Sequence, residues 1–73
     1  MTKVKGIRAA ETGELYFQFT DRPETFATDA NSSHAALGIL AFSRDAEITL
    51  ETSPATGPGN YHRITGIYIG RWG

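Results

Sequence analysis

Alternation of apolar and polar residues near the start of the chain predicts a β-hairpin. Residues 14–20 (ELYFQFT) alternate strictly, which is the period of a half-buried strand. Residues 3–10 (KVKGIRAA) alternate too, but their phase slips at Gly6, which predicts a β-bulge that bends the strand. Residues 11–13 (ETG) have the length and the glycine of a three-residue hairpin turn. The two strands are therefore expected to pair.

Three further segments have the pattern of strands. Residues 25–28 (TFAT) predict a short strand, and residues 46–53 (AEITLETS) alternate over a longer one. Residues 61–72 (YHRITGIYIGRW) predict a long last strand whose phase slips at Gly66, much as the first slips at its glycine. Residues 53–60 (SPATGPGN) hold two prolines and two glycines and predict an exposed loop.

One uncharged segment, residues 31–42 (NSSHAALGILAF), predicts a helix. Asn31, Ser32 or Ser33 can each supply the side-chain oxygen that caps the first helical N–H groups. Gly38 costs about 1 kcal/mol relative to alanine in a helix interior. We therefore expect its backbone to lie close to a neighbouring element.

The predicted helix is apolar on every side, so a small sheet is not expected to cover all of it. At about 100° per residue, the side expected to face the sheet consists of Ala36, Leu37, Leu40 and Ala41. The other side consists of Ala35, Ile39 and Phe42, which are predicted to form an oligomer interface or to meet a folded-back loop. The alternative is that Phe42 completes the core and Ile39 is partly exposed, since scattered surface hydrophobic residues are ordinary.

Three strands, a helix and two strands follow the order of the oligonucleotide/oligosaccharide-binding (OB) barrel, whose helix covers one barrel end. The bend in KVKGIRA fits the curved first strand of that family. The run NSSHAALGILAFSRDAEITLE and the hairpin ETGELYFQF resemble, in pattern, the B subunits of bacterial pentameric toxins. The resemblance implies a mainly β fold, a five-stranded OB-like β-barrel with one α-helix (order β-β-β-α-β-β), in a single domain over residues 1–73. It also implies a homo-oligomer such as a ring, and glycan binding.

Length and composition narrow the function classes. A 73-residue chain builds one small core that is marginally stable alone. Because it has no cysteine, disulfides and thiolate metal sites are excluded, and self-association remains as a source of stability. The net charge of −1 argues against a general polyanion binder. With no signal-peptide pattern and no apolar run near the roughly 20 residues that span a bilayer, we expect a cytoplasmic protein without membrane contact.

Catalysis is not predicted. Ser33 and His34 are adjacent in sequence, but a nucleophile and its base must meet in space with a third group that orients the base. His34 and His62 show no metal-ligand spacing, and residues 56–60 (TGPGN) lack the flanking strand and helix of a phosphate loop. We expect no enzymatic activity, no catalytic residue, no metal and no cofactor.

The outer strand faces are the predicted ligand surface. In the hairpin, Arg8 is expected opposite Tyr16, close enough for a cation–π contact. The candidate ligand-binding residues are Arg8, Tyr16, Gln18, Arg22, Tyr61, His62 and Trp72. Rings beside arginine and amide groups suit a glycan or another small ligand, and also single-stranded nucleic acid, which is the less favoured partner. The structural alternative is that these residues form a subunit interface or stabilise the strand surface without any ligand.

Overall fold

The computed structural model describes residues 1–54 and 61–70, which form a five-stranded sheet and one helix. The elements are β1 (Val4–Ala9), β2 (Glu14–Phe19), β3 (Thr25–Asp29), α1 (Ser33–Ser43), β4 (Ile48–Ser53) and β5 (His62–Ile69). This is the predicted order, and the fold is mainly β as predicted. Gly13 has the positive φ, 83°, that the hairpin turn requires.

The strands lie in the order β1-β2-β3-β5-β4, and each neighbouring pair is antiparallel except β3 with β5. The two edge strands approach each other just before β1, where Thr2 and Ile48 exchange two backbone hydrogen bonds of 2.9 and 2.8 Å. Beyond this bridge, β1 and β4 are not paired in the part of the chain that the structure describes. The sheet is not closed along its length, so the barrel stays a prediction.

Both predicted phase slips correspond to irregular pairing. The register between β1 and β2 shifts between Val4 and Gly6, which leaves one extra residue on β1. The register between β4 and β5 shifts beside Gly66, where Thr65 is the extra residue. The bulges expected at the two glycines are therefore confirmed.

The core lies between one face of the sheet and the helix. Phe17, Phe19 and Phe26 are buried there, with ring centroids 6.3 Å apart for the first two and 5.5 Å apart for the last two. Aliphatic side chains from the other strands complete it, including Val4, Ile48, Ile64 and Ile67. The strict alternation of β2 is confirmed, because Phe17 and Phe19 are buried while Gln18 between them is exposed.

The helix begins at a serine cap and packs on the sheet through small residues. Ser32 is the cap, since its hydroxyl accepts a hydrogen bond from the backbone N–H of Ala35 at 3.1 Å. The buried positions of α1 are Ala35, Gly38 and Ala41. The predicted orientation is therefore wrong, because Leu37 and Leu40 lie on the exposed side. Small residues let the helix axis approach the sheet closely, which the larger leucines would prevent.

The helix ends in a Schellman motif. The N–H of Ala46 donates to the carbonyl of Ala41 at 2.9 Å, and the N–H of Asp45 donates to the carbonyl of Phe42 at 3.2 Å. Asp45 has a φ of 52°, and its carboxylate pairs with Lys3 at 3.1 Å.

Within residues 1–54 and 61–70, the helix lacks the length and the apolar character that crossing a membrane requires.

Candidate ligand-binding cleft

A surface cleft of about 330 Å³ lies on the outer face of the first three strands, next to the start of β5. It is lined by Gly6, Ile7, Arg8, Tyr16, Gln18, Thr25 and Tyr61. Four of these, namely Arg8, Tyr16, Gln18 and Tyr61, belong to the predicted ligand-binding set. The structure thus brings together residues that lie up to 53 positions apart, since Tyr61 comes that far after Arg8.

The bulge in β1 places two cleft residues on the outer face. Before the bulge, Val4 is opposite Phe19 and faces the core. After it, Gly6 is opposite Gln18 and Arg8 is opposite Tyr16, so these pairs face outward. Without the extra residue, strict alternation would carry all the even-numbered residues of β1 to the core face.

Two tyrosine rings and a guanidinium group form one wall of the cleft. The rings of Tyr16 and Tyr61 have centroids 4.9 Å apart and planes inclined by 56°. The Cζ of Arg8 lies 4.8 Å from the centroid of Tyr16. The predicted cation–π contact between Arg8 and Tyr16 is therefore confirmed.

The cleft offers both hydrogen-bond donors and hydrogen-bond acceptors. The Nε2 of Gln18 donates to Oγ1 of Thr25 at 3.3 Å, which leaves the amide oxygen available at an exposed position. Arg8 makes no ion pair within residues 1–54 and 61–70. Beside the cleft, Arg63 donates to the carboxylate of Glu14. Since these two charges offset each other, Arg8 supplies the cleft's charge.

Gly6 leaves space at the cleft. A Cβ added at this position would have no heavy atom within 4 Å, and its φ is not in the left-handed region. A Cβ at position 6 would therefore meet no neighbouring atom, at a position that lines the cleft.

Two of the predicted ligand residues lie away from the cleft. Arg22 forms two hydrogen bonds with the carboxylate of Asp21, at 2.7 and 2.8 Å, and its Cζ lies 5.9 Å from the ring centroid of Phe26. His62 packs edge-on against the same ring, with centroids 5.4 Å apart. Arg22 and His62 thus share a contact with Phe26, and neither lines the cleft. Trp72 lies outside the described residues.

Three lining residues were not predicted from the sequence. The phase slip at Gly6 predicts a bulge, and the position of Gly6 opposite Gln18 follows from that bulge and the hairpin register. Thr25 is opposite Gln18 in the pairing of β2 with β3, a register that the polar turn between those strands does not specify. Ile7 gave no signal, because its alternation assigns it to the core, against which it also packs.

No protein-family model, no curated protein and no solved structure matches the chain. The resemblance to toxin B subunits therefore stays a prediction, and the site is argued from its own geometry. Across the described residues 1–54 and 61–70, no group of three or more histidine, cysteine or acidic residues is arranged to hold a metal ion.

One of the three predicted interface residues on α1 is buried, and the other two are exposed. Ala35 is completely buried against the chain's own sheet, so its assignment to an oligomer interface is corrected. The helix needs a small residue there because that face packs on the core. Ile39 and Phe42 are both 48% exposed, beside Leu37 at 36% and Leu40 at 38%. Large apolar side chains of the helix therefore remain partly exposed to solvent.

Proposed function

We propose that this protein is a non-enzymatic binding module that self-associates through α1 and binds a glycan or a similar small ligand in its outer cleft. One observation carries the binding proposal. The paired rings of Tyr16 and Tyr61 stand beside the guanidinium of Arg8 and the amide of Gln18, around one open volume. Self-association is supported by the apolar side chains exposed on the helix.

The chemistry of the cleft matches a sugar. A pyranose ring has apolar C–H faces that pack on aromatic rings, and its hydroxyls both donate and accept hydrogen bonds. Tyr16 and Tyr61 offer the rings, Arg8 offers donors, and the Gln18 amide oxygen offers an acceptor. A volume of about 330 Å³ is at the lower end of the range of small-molecule sites. This size suits a short glycan segment or a single sugar.

Single-stranded nucleic acid is the second candidate, because Arg8 lies on a tyrosine ring in a surface cleft. The charge balance favours the glycan. Strands of nucleic acid bring a phosphate with every base, whereas the cleft's charge comes from one arginine, and the neighbouring Arg63 is paired with Glu14. The third candidate is a purely structural oligomer, which associates through the helix and binds no ligand.

The proposal retains the OB-like barrel. It is supported by the order of the elements and by the bridge that joins Thr2 to Ile48, the point where the two edge strands would begin to close. Hydrogen exchange tests it. Slow exchange of β1 amides that face β4, beyond Thr2, is expected for a closed barrel, and rapid exchange of all of them contradicts closure.

A glycan array followed by titration of each hit tests the binding proposal. Two variants alter the cleft: Gly6→Val places a branched side chain in its open volume, and Tyr61→Ala removes one ring. Both are expected to weaken binding of an array hit at least about tenfold. Glu47→Gln, at an exposed position away from the cleft, is the matched control and should bind as the parent does.

The alternative ligands have their own outcomes. Retention on an oligonucleotide column that falls steeply with salt, together with an empty array, replaces the glycan by nucleic acid. No binding in either experiment, with folded and oligomeric protein, overturns the binding proposal and leaves the structural oligomer.

A further inference from the structure

Hydrogen-bond donors outnumber acceptors on the lining of the cleft. The guanidinium of Arg8 has several N–H groups and no acceptor, and none of them donates to another residue in the part of the chain that the structure describes. The amide of Gln18 gives only one N–H to Thr25, so a second remains. The acceptors are the oxygen of that amide and three hydroxyl groups, which can also donate.

The lining of the cleft provides no carboxylate. None of the described residues that line it is acidic, and residues 55–60 and 71–73 contain no acidic side chain in sequence. Glu14 lies beside the cleft, but its carboxylate is paired with Arg63. The guanidinium of Arg8 therefore has no counter-charge of its own. A ligand that covers it without offering a negative charge would leave that charge poorly compensated.

We infer that the ligand of the cleft is a sugar acid, whose pyranose ring packs on Tyr16 and Tyr61 and whose single carboxylate binds Arg8. The inference rests on the proposed glycan binding and adds the charge of the sugar and the residue that selects it. A guanidinium and a carboxylate are both planar and can form two parallel hydrogen bonds. Such bonds are about twice as strong as those to a neutral hydroxyl.

Arg8 is positioned for this role before a ligand binds. The bulge in β1 brings it opposite Tyr16 on the outer face, and its Cζ lies 4.8 Å from the centroid of that ring. The contact with the ring leaves the N–H groups available, since none of them is used in a hydrogen bond among the described residues. A side chain that is already ordered loses less conformational entropy when it binds.

The charges around the cleft favour one anionic group over several. Asp29 is opposite Glu14 in the pairing of β2 with β3, and both share a face with Tyr16, because residues two positions apart in a strand point the same way. Arg63 offsets Glu14, whereas Asp29 is exposed and makes no ion pair within the described part of the chain. A phosphate monoester, with a charge of about −1.5 to −2, would exceed the charge of one arginine on a face that already holds Asp29.

A glycan array of matched pairs tests the sugar acid. Glucuronate, galacturonate and mannuronate are each printed beside the neutral sugar that has CH₂OH in place of the carboxylate, and beside its 6-phosphate. The parent protein should bind at least one acid at least about tenfold more tightly than its neutral partner. In titrations of that pair, raising NaCl from about 20 mM to about 500 mM should weaken binding of the acid more than binding of the neutral sugar.

Three variants assign the preference to Arg8. Arg8→Gln keeps N–H donors without the charge, and should lower the ratio of acid to neutral affinity to about one. Arg8→Lys keeps the charge without the planar fork, and should lower the ratio at least about twofold. Lys5→Gln is the matched control, because it removes a cation of the same strand that does not line the cleft. It should leave the ratio unchanged. Circular dichroism checks that each variant is folded, and Arg8→Lys decides if Arg8→Gln is not.

The outcomes separate this inference from the proposed function. A neutral sugar bound as tightly as its acid, or a 6-phosphate bound more tightly than the acid, overturns the sugar acid while glycan binding stands. A preference that survives both changes at Arg8, or that Lys5→Gln removes equally, has the same consequence. Binding of no sugar on the array by folded protein overturns both.

Discussion

Gly38 of α1 lies directly against the ring of Phe17 on β2. A Cβ at position 38 would stand 2.7 Å from Cε1 and 2.8 Å from Cζ of that ring, and Phe17 is completely buried. The close backbone contact expected at Gly38 is therefore confirmed. This contact explains why the small residues of the helix face the core and the large ones face outward.

Gly38→Ala should not stabilise the protein, in spite of the better helix propensity of alanine. The gain in propensity is about 1 kcal/mol, whereas overpacking against a buried ring costs typically 1 to 3 kcal/mol. Urea unfolding should therefore show an equal or lower free energy of unfolding, with a loss of up to about 2 kcal/mol. Adding Phe17→Leu should relieve the clash, so that Gly38→Ala costs less in that background. A clear stabilisation by Gly38→Ala alone would contradict the close packing.

Arg8 and Tyr16 should be energetically coupled. Tyr16 is half-buried, and a guanidinium over a tyrosine ring that is open to solvent on one side contributes about 0.5 to 1 kcal/mol. A double-mutant cycle of Arg8→Gln and Tyr16→Leu, followed by chemical denaturation, should give a coupling of that size. The same cycle with Lys5→Gln in place of Arg8→Gln serves as the control, because Lys5 lies in the bulge and is not opposite Tyr16. Equal coupling in the two cycles would mean that the ring contact adds no stability.

Asp45 should be replaceable by glycine more easily than by alanine. Asp45 has a φ of 52° at the end of α1, a conformation that costs a residue with a Cβ about 1 to 2 kcal/mol. Asp45→Gly and Asp45→Ala both remove the ion pair with Lys3, so that loss cancels in their comparison. Asp45→Gly is expected to be the more stable by about 1 kcal/mol in thermal unfolding. Equal stability of the two variants would argue against the left-handed conformation.

The stability of the folded protein should fall in the acid pH range because of Asp21. The hydrogen bonds from the Arg22 guanidinium lower the pKa of Asp21 well below its usual value. Because the folded pKa is below the unfolded one, the stabilisation is complete above about pH 4 and is lost as the pH falls through the folded pKa. The melting temperatures of the parent and of Asp21→Asn should therefore converge as the pH is lowered from 6 toward 2.

Two controls accompany that titration. Glu11→Gln, at an exposed turn position, is the control for removing a surface carboxylate. Added salt should reduce the difference between the parent and Asp21→Asn, since the pair is partly exposed to solvent. A difference that grows as the pH falls would contradict the direction of the pKa change.

Local sequence patterns were sufficient to predict the strands, the helix and part of the cleft lining. Alternation along β2, the glycine at the hairpin turn and a cap among Asn31, Ser32 and Ser33 act on residues a few positions away, so the sequence alone predicts them. The pairing of Arg8 with Tyr16 also belongs to this group, because a three-residue turn specifies the register of a hairpin. The bulge at Gly6 was visible as a slip in phase.

Long-range packing decided the rest. An all-apolar helix has no preferred face in its own sequence, so Phe17 of the sheet selected the side of α1 that is buried, and Ala35 was misassigned for that reason. Tyr61 reaches Tyr16 only because β5 pairs with β3 across a long crossover, which no local pattern encodes. The periodicity of the chain thus determined its strands, helix and hairpin. Shape complementarity between distant segments decided which apolar residues became core, which stayed on the surface and which aromatic rings share a cleft.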